Sequence, residues 1–571
     1  MCGIFLYYNN AQFTDDYYKD IIYKEFMKGQ HRGPENSQTV LYNKFFFGFH
    51  RLAINGLDDI SNQPFDIDNI ILLCNGEIYN HELLRQKLGI TQKTNSDCEI
   101  IIHMYKKFGI EYTIQQLDGV FAFILYDKNT NQLHVGRDPY GVRSMYYYFE
   151  LGKFVFASEL KQINNILGVD NNKIKQFNPG SYITYNYQID NEITFNKYIQ
   201  FPMCSYTNTN SHKIEYYKEL INNYLNMAVK KRVENSERPI ACLLSGGLDS
   251  SLITALVSKY VKNVSLLETY SIGLEGSEDL KYAQMVASFL GTKHTQIVVP
   301  EEAFFDAIPE VIDDISSYDT TTVRASVGNY LIGKYIAKNS EAKVIFNGDG
   351  SDELTGGYMY FHNCASDLEF DAECKRLLGN IHHFDVLRSD RCISSHGLEA
   401  RTPFLDKSFV NMYLSIPIEY RNHNKENRCE KYLLRSSFSK VNNMHWSSSQ
   451  YNKQLLPEEV MWRTKEAFSD GVSSQNNSWY EIIQSKVQNL EIDKNSSFNN
   501  NITLEQNYYL YLFRNSYNKT CEHIIPYYWM PKWSDAKDSS ARTLNIYKLK
   551  NCKKEEKEEK EEEEEEVINN I

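Results

Sequence analysis

The chain has 571 residues, 42% apolar and 24% charged, the balance of a soluble globular protein with more length than one ordinary core needs. Its formal charge of −13 carries no long basic stripe, which argues against a nucleic-acid partner. No stretch reaches the roughly 20 consecutive apolar residues that span a bilayer, and the opening MCGIFLYYNN lacks the basic region of a secretory signal, so the expectation is a cytoplasmic protein with no membrane partner.

The first part of the chain reads as short strands separated by turn signals: FFFGFHRLAI, IILLCNGEIY, GVFAFILYD and KFVFASE. A β-rich sandwich with a few helices is expected there. The polar stretch PMCSYTNTNSHK at 202 to 213 has the composition of a linker. Beyond it come a helical segment, strand IACLL, a Gly-rich turn with a helix from Leu252, strand TYSIGL with a helix from Leu280, and strand KVIF. This alternation predicts a parallel α/β sheet with ligands at the strand C-termini. KNSSFNNN and EEKEEKEEEEEE are low in complexity, and residues 536–571 are expected to form a disordered acidic tail. The eleven cysteines are an odd number with no CxxC pair, which disfavours a zinc site or a disulfide framework.

Cysteine is a useful nucleophile only as thiolate, and its free pKa near ~8.5 leaves little thiolate at neutral pH. If Met1 is removed, the α-amine of Cys2 lies beside the thiol and serves as its base. Downstream, HRGPEN at 31 to 36, HRLAIN at 50 to 55, NGEIYN at 75 to 80 and SDCE at 96 to 99 supply the groups that clamp a free amino acid. Arg51 suits an α-carboxylate, and Glu77 with Asp97 suits an α-ammonium. The side-chain amide of Asn75 and the backbone N–H of Gly76 suit a developing oxyanion, although Asn-Gly after ILLC also reads as a type I′ hairpin turn.

SGGLDSS, at 245 to 251, lies between a strand and a helix, where backbone N–H groups and hydroxyls can receive a polyphosphate. It lacks the Gly-Lys-Ser/Thr of a Walker A loop, and Asp249 inside a phosphate cradle makes sense with a bridging Mg²⁺. A third element, NGDGSDE, crowds Asp349, Asp352 and Glu353 after a strand, where carboxylates repel one another unless a cation compensates.

Together these strings resemble the class II glutamine amidotransferases and, more narrowly, the glutamine-hydrolysing asparagine synthetases. The match runs from MCGIF through HRGPEN, HRLAIN, NGEIYN, SDCE, LDGVFAFILYD, GRDPYG and FASELK and continues through the second domain. The resemblance implies a multidomain α/β and α+β chain: an Ntn-type αββα β-sandwich glutaminase over 1–203, then a parallel α/β ATP-pyrophosphatase domain over 213–535. It implies Cys2 as nucleophile, Asn75 and Gly76 as oxyanion hole, and Arg51, Leu52, Ala53, Ile54, Asn55, Asn75, Gly76, Glu77 and Asp97 as the glutamine site. Leu244, Ser245, Gly246, Gly247, Asp249, Ser250, Ile272, Asn347 and Gly348 would contact ATP, and Asp249 and Asp352 would hold Mg²⁺. Asp349 and Lys465, the latter in RTKEAFSDGV, would be catalytic, while Thr321 and Arg324 of YDTTTVRAS would bind the acceptor. Glutamine, aspartate and ATP are the implied substrates, and a homodimer is compatible with the family. The string departs from the family at Asn347, usually Ser, at Asp349, usually Glu, and at Ser144, usually Pro. A related synthetase with another carboxylic acceptor and a catalytically silent scaffold are the rival readings.

Overall fold

A computed structural model describes residues 1–10, 16–203, 213–426, 428–439, 454–464, 468–474, 478–490 and 502–547. Two six-stranded sheets build the N-terminal part. In one, Gly3–Asn9 pairs antiparallel with Phe45–Arg51 and with Lys153–Ala157. In the other, Ile70–Ile78 pairs antiparallel with Gly119–Asp127, which pairs in turn with Gln132–Arg137. Alternate side chains of the two sheets meet in one apolar layer: Ile4, Leu6, Phe47 and Phe49 from the first, Ile71, Leu73, Ala122 and Ile124 from the second. The opposite faces are covered by helices, Phe26 of Asp16–Met27 packing on one sheet and the Ile100–Gln116 helix on the other. The layer order is therefore the expected αββα.

The four strands expected in this region are all strands. Asn75 and Gly76 lie inside Ile70–Ile78 rather than at its end, so the hairpin-turn alternative is discarded. Gly76 is required there by packing, because a Cβ would stand 2.4 Å from the Val120 carbonyl of the neighbouring strand.

The second part holds a five-stranded parallel sheet in the order Lys293–Val298, Glu268–Gly273, Ile240–Leu243, Val344–Phe346, Glu399–Arg401. The helix after the first of these in sequence spans Leu248–Val257, so it starts four residues before the expected Leu252. Gly247 is its N-cap, and Gly246 takes φ +75° because a Cβ would fall 2.5 Å from the backbone nitrogen of Ala283. The early start places Asp249 in the first turn.

The linker expected at 202 to 213 falls mostly outside the described residues, as does the acidic run. The expected tail needs correction at its start. Asp538 pairs with Arg324, Ser540 bonds Asp470, and Leu544 and Tyr547 pack with Trp529, so the chain is part of the fold as far as Tyr547. Among the described residues no helix is long and apolar enough to cross a membrane.

Candidate functional site

Cys2 stands immediately before the strand Gly3–Asn9, with Met1 in place ahead of it. Its thiol donates to the Leu52 carbonyl at 3.5 Å, and its own carbonyl accepts from Arg32 Nε at 2.9 Å. Arg32 is fully buried and is held by Glu159 at 3.2 Å and Asp390 at 2.9 Å. The HRGPEN string thus fixes the backbone of the nucleophile, a role that sequence reasoning missed. Burial pushes the thiol up to about 11, against the opposing effect of the nearby ammonium. The Met1 ammonium is itself lowered to about 5 by burial and bonds the Leu398 carbonyl at 2.9 Å.

The predicted glutamine-binding residues come together around this point. Arg51, 6% exposed, donates to the carbonyls of Asp58 and Gly56 and to Asn62 Oδ1. All three acceptors are neutral, and among the described residues no carboxylate lies within ion-pair distance of Arg51, so its charge is left for an anion. Asp97 accepts from the Ile78 amide at 2.6 Å, and Glu77 accepts from Asn55 at 2.6 Å. Burial raises both carboxyls; Glu77 is raised further by Glu399 and Asp97, against the pull of Arg401. Such a pair attracts a cation. The Asn75 side chain is fully buried, and neither its amide nitrogen nor its oxygen has a hydrogen-bond partner. An orphaned buried amide costs about 1–3 kcal/mol and signals a site whose partner is a ligand.

Ala53 and Ile54 are held by the second domain. Arg238 Nε donates to the Ala53 carbonyl at 2.8 Å, the Glu237 amide to the Ile54 carbonyl at 3.1 Å, and Glu237 receives the Gly56 amide at 2.9 Å.

The second cleft, about 1120 Å³ with the solvent at its mouth included, opens at the C-terminal ends of the parallel strands. Leu244, Ser245, Gly247, Asp249, Ser250, Ile272, Asn347, Gly348, Asp349, Asp352 and Thr321 all line it. Gly246 does not; it forms the turn behind them. The Ser245 and Ser250 hydroxyls stand 3.0 Å apart at the helix start. Asp249 and Asp352 converge on one point, since both reach Lys431 Nζ, at 2.6 and 2.7 Å. Lys431 is 2% exposed and had no signal in the motifs. The two carboxylates fit a hard divalent cation, which typically takes one or two carboxylates and completes its shell with phosphate oxygens.

Asn347 turns its side chain to Ser389, at 2.5 Å, and its amide to the Arg401 carbonyl, at 3.1 Å. Asp349 Oδ1 pairs with Arg388 at 3.0 Å, and burial raises its carboxyl. Arg388 also binds Asp385 at 2.9 Å, and Tyr358 bonds Glu353 at 2.5 Å. Arg388, Asp385, Tyr358 and Thr321 also line a smaller recess beside the cleft.

Arg324 is corrected. It does not line the cleft; Glu505 takes its Nε and Nη2 at 2.8 and 2.6 Å, and Asp538 takes Nη1 and Nη2 at 2.7 and 2.8 Å. Four of its five N–H donors are taken by these two carboxylates, which already balance its charge. Lys465 lies outside the described residues.

Comparison with known proteins gives the family. Residues 1–220 match a family model described as a glutamine amidotransferase domain, and residues 220–373 and 364–506 match one described as asparagine synthase. The chain is 40% identical to the glutamine-hydrolysing asparagine synthetases of Rattus norvegicus and Homo sapiens, over 96% of this chain and 99% of each of theirs. Two family models in succession and relatives matched over nearly the whole length of both chains place it plainly: the chain belongs to the glutamine-hydrolysing asparagine synthetases.

Proposed function

We propose that Cys2, freed by removal of Met1, attacks the carboxamide carbon of glutamine, with its own α-amine taking the thiol proton. Removal of Met1 puts that amine next to the sulfur, where it serves as the base for a thiol that burial otherwise holds up. Arg51 receives the α-carboxylate, and Glu77 with Asp97 receives the α-ammonium. The Asn75 amide and the Gly76 N–H donate to the oxyanion; each such donor is commonly worth about 100- to 1,000-fold in rate. The orphaned, fully buried Asn75 amide is the observation that carries this reading.

Ammonia leaving Cys2 passes between the domains to the cleft. The path is supported by Arg401, whose side chain lies 3.2 Å from Glu77 while its carbonyl accepts the Asn347 amide at the nucleotide loop. In the cleft, the Ser245–Ser250 turn and the following helix N-terminus hold the phosphates of ATP, and Lys431 neutralises charge as pyrophosphate leaves. Magnesium, held by Asp249 and Asp352, would supply further charge neutralisation on the phosphates. Asp385 with Glu353 suits the ammonium of aspartate and Arg388 its α-carboxylate, the role first given to Arg324. Ammonia then attacks β-aspartyl-AMP, giving asparagine and AMP. Asp349 stands at the acyl centre. Residues 1–203 and 213–547 are the two working domains of this scheme.

The test is pyrophosphate and amide release with glutamine or ammonia, with and without aspartate. Pyrophosphate release that ignores aspartate and answers to another acid would make the acceptor assignment wrong. Cys2→Ala should abolish glutamine-dependent synthesis and keep ammonia-dependent synthesis.

A further inference from the structure

The carboxylate of Glu77 belongs to the glutaminase half, yet two of its three polar partners do not. Asn55 reaches Glu77 Oε2 from within the half at 2.6 Å; Asn235 reaches the same oxygen from the second domain at 2.8 Å. Arg401, also of the second domain, places Nη2 at 3.2 Å from it. Arg401 is 1% exposed. Its Nε is taken by Glu399 at 2.9 Å and its Nη1 by the Arg232 carbonyl, while Nη2 makes no hydrogen bond and only the ion pair to Glu77. The same residue's carbonyl accepts the Asn347 amide at 3.1 Å, in register with Phe346 across the parallel strand pair. Asn347 and Gly348 line the nucleotide cleft. A single residue therefore holds the glutamine clamp with its side chain and the nucleotide loop with its backbone.

We infer that Arg401 is a positioning residue for glutamine hydrolysis: it sets Glu77 for the α-ammonium of glutamine and makes glutamine affinity depend on whether ATP occupies the second cleft. The inference rests on the reading of Glu77 as an ammonium acceptor. Binding energy at Glu77 and loop geometry at Asn347 share Arg401, so a shift of the loop on nucleotide binding moves the guanidinium that Glu77 faces. The coupling is reciprocal by linkage.

The experiment uses the full chain carrying Cys2→Ala, which binds glutamine without consuming it, and measures glutamine Kd by calorimetry with and without ATP, aspartate being absent. With Arg401 present, ATP should change the Kd severalfold. In Arg401→Gln the Kd should rise about tenfold, within the usual range of such couplings, and the ATP effect should vanish. Arg401→Lys, which keeps the charge without the fork, should recover part of the affinity. On the Cys2 background, ammonia-dependent synthesis of Arg401→Gln should persist. An unchanged Kd, an ATP effect equal in both proteins, or loss of ammonia-dependent synthesis would each overturn the proposal, the last by assigning Arg401 to the nucleotide loop alone. If Arg401→Gln does not fold, Arg401→Lys carries the same comparison, with a reduced ATP effect expected and an undiminished one overturning the proposal. Unchanged glutamine binding in Glu77→Gln would instead sink the reading of the glutamine site itself.

Discussion

The ammonium of Lys431 stands 2.6 Å from the carboxylate of Asp249, at the first turn of the helix Leu248–Val257. A second carboxylate, Asp352, lies 2.7 Å from the same nitrogen. Lys431→Met leaves two buried anions facing each other. The expected loss of stability is about 3–5 kcal/mol, read by denaturant titration, and Mg²⁺ should restore part of it. Amide synthesis from either nitrogen source should fall by about 100-fold or more, while glutaminase activity persists. Equal loss of both activities would show that Lys431 serves the fold and not the nucleotide.

Arg324, held by Glu505 and Asp538, and Arg388, proposed for the aspartate carboxylate, are separated by substitution. Arg324→Ala removes the cation shared by Glu505 and Asp538, and about 3–5 kcal/mol of stability should go with it. The aspartate KM of the folded fraction should stay within about twofold of native, since no acceptor contact is lost. Arg388→Lys keeps charge but loses the planar fork, and the aspartate KM should rise about tenfold. The opposite pattern of KM changes would return the acceptor role to Arg324.

His50 precedes the glutamine-clamp arginine, stacks on Phe26 with ring centroids 3.9 Å apart, and bonds the Phe26 carbonyl at 2.9 Å and Ser37 at 2.7 Å. Burial lowers it from 6.5 to about 4, with His31 and Arg32 acting in the same direction and Glu159 against. The folded state therefore binds this proton less readily than the unfolded chain. The contribution is fully present above pH 6.5 and is lost as pH falls towards 4, by about 3 kcal/mol in all from this group. A His50→Gln protein should show a shallower fall of unfolding free energy between pH 6.5 and 4 than the native chain. An equal slope would remove His50 from the acid sensitivity.

The motifs made the catalytic loops legible because their residue types are constrained one by one. Gly76 admits no Cβ, Gly246 needs its positive φ, and Asp249 must stand at a helix start. What the motifs left dark are cations whose partners lie far away in sequence. Lys431 reaches Asp249 across 182 residues, Arg32 reaches Asp390 across 358, and Arg401 reaches Glu77 across the domain boundary. No local pattern records such pairings. Arg324 misled for the same reason: a motif identifies the residue, but only the fold shows that Glu505 and Asp538 have already taken it.

Asp349 occupies a position where the family usually has Glu, and its partner explains how the shorter side chain stays in use. Arg388 Nη2 lies 3.0 Å from Asp349 and 2.9 Å from Asp385, so one guanidinium holds both carboxylates in place. Misplacement of a catalytic group by about 1 Å can cost about 100-fold in rate, which makes the length at this position measurable. Asp349→Glu should support ammonia-dependent synthesis at or above the native rate, and Asp349→Asn should lose about 100-fold, since it keeps the shape and removes the charge. Burial raises the Asp349 carboxyl while Arg388 pulls against it, so the acid limb of the native rate profile should lie above the ordinary carboxylate range. An Asp349→Asn protein with native turnover, or an Asp349→Glu protein that is dead yet folded and active as a glutaminase, would show that the charge at this position does not act on the acyl centre.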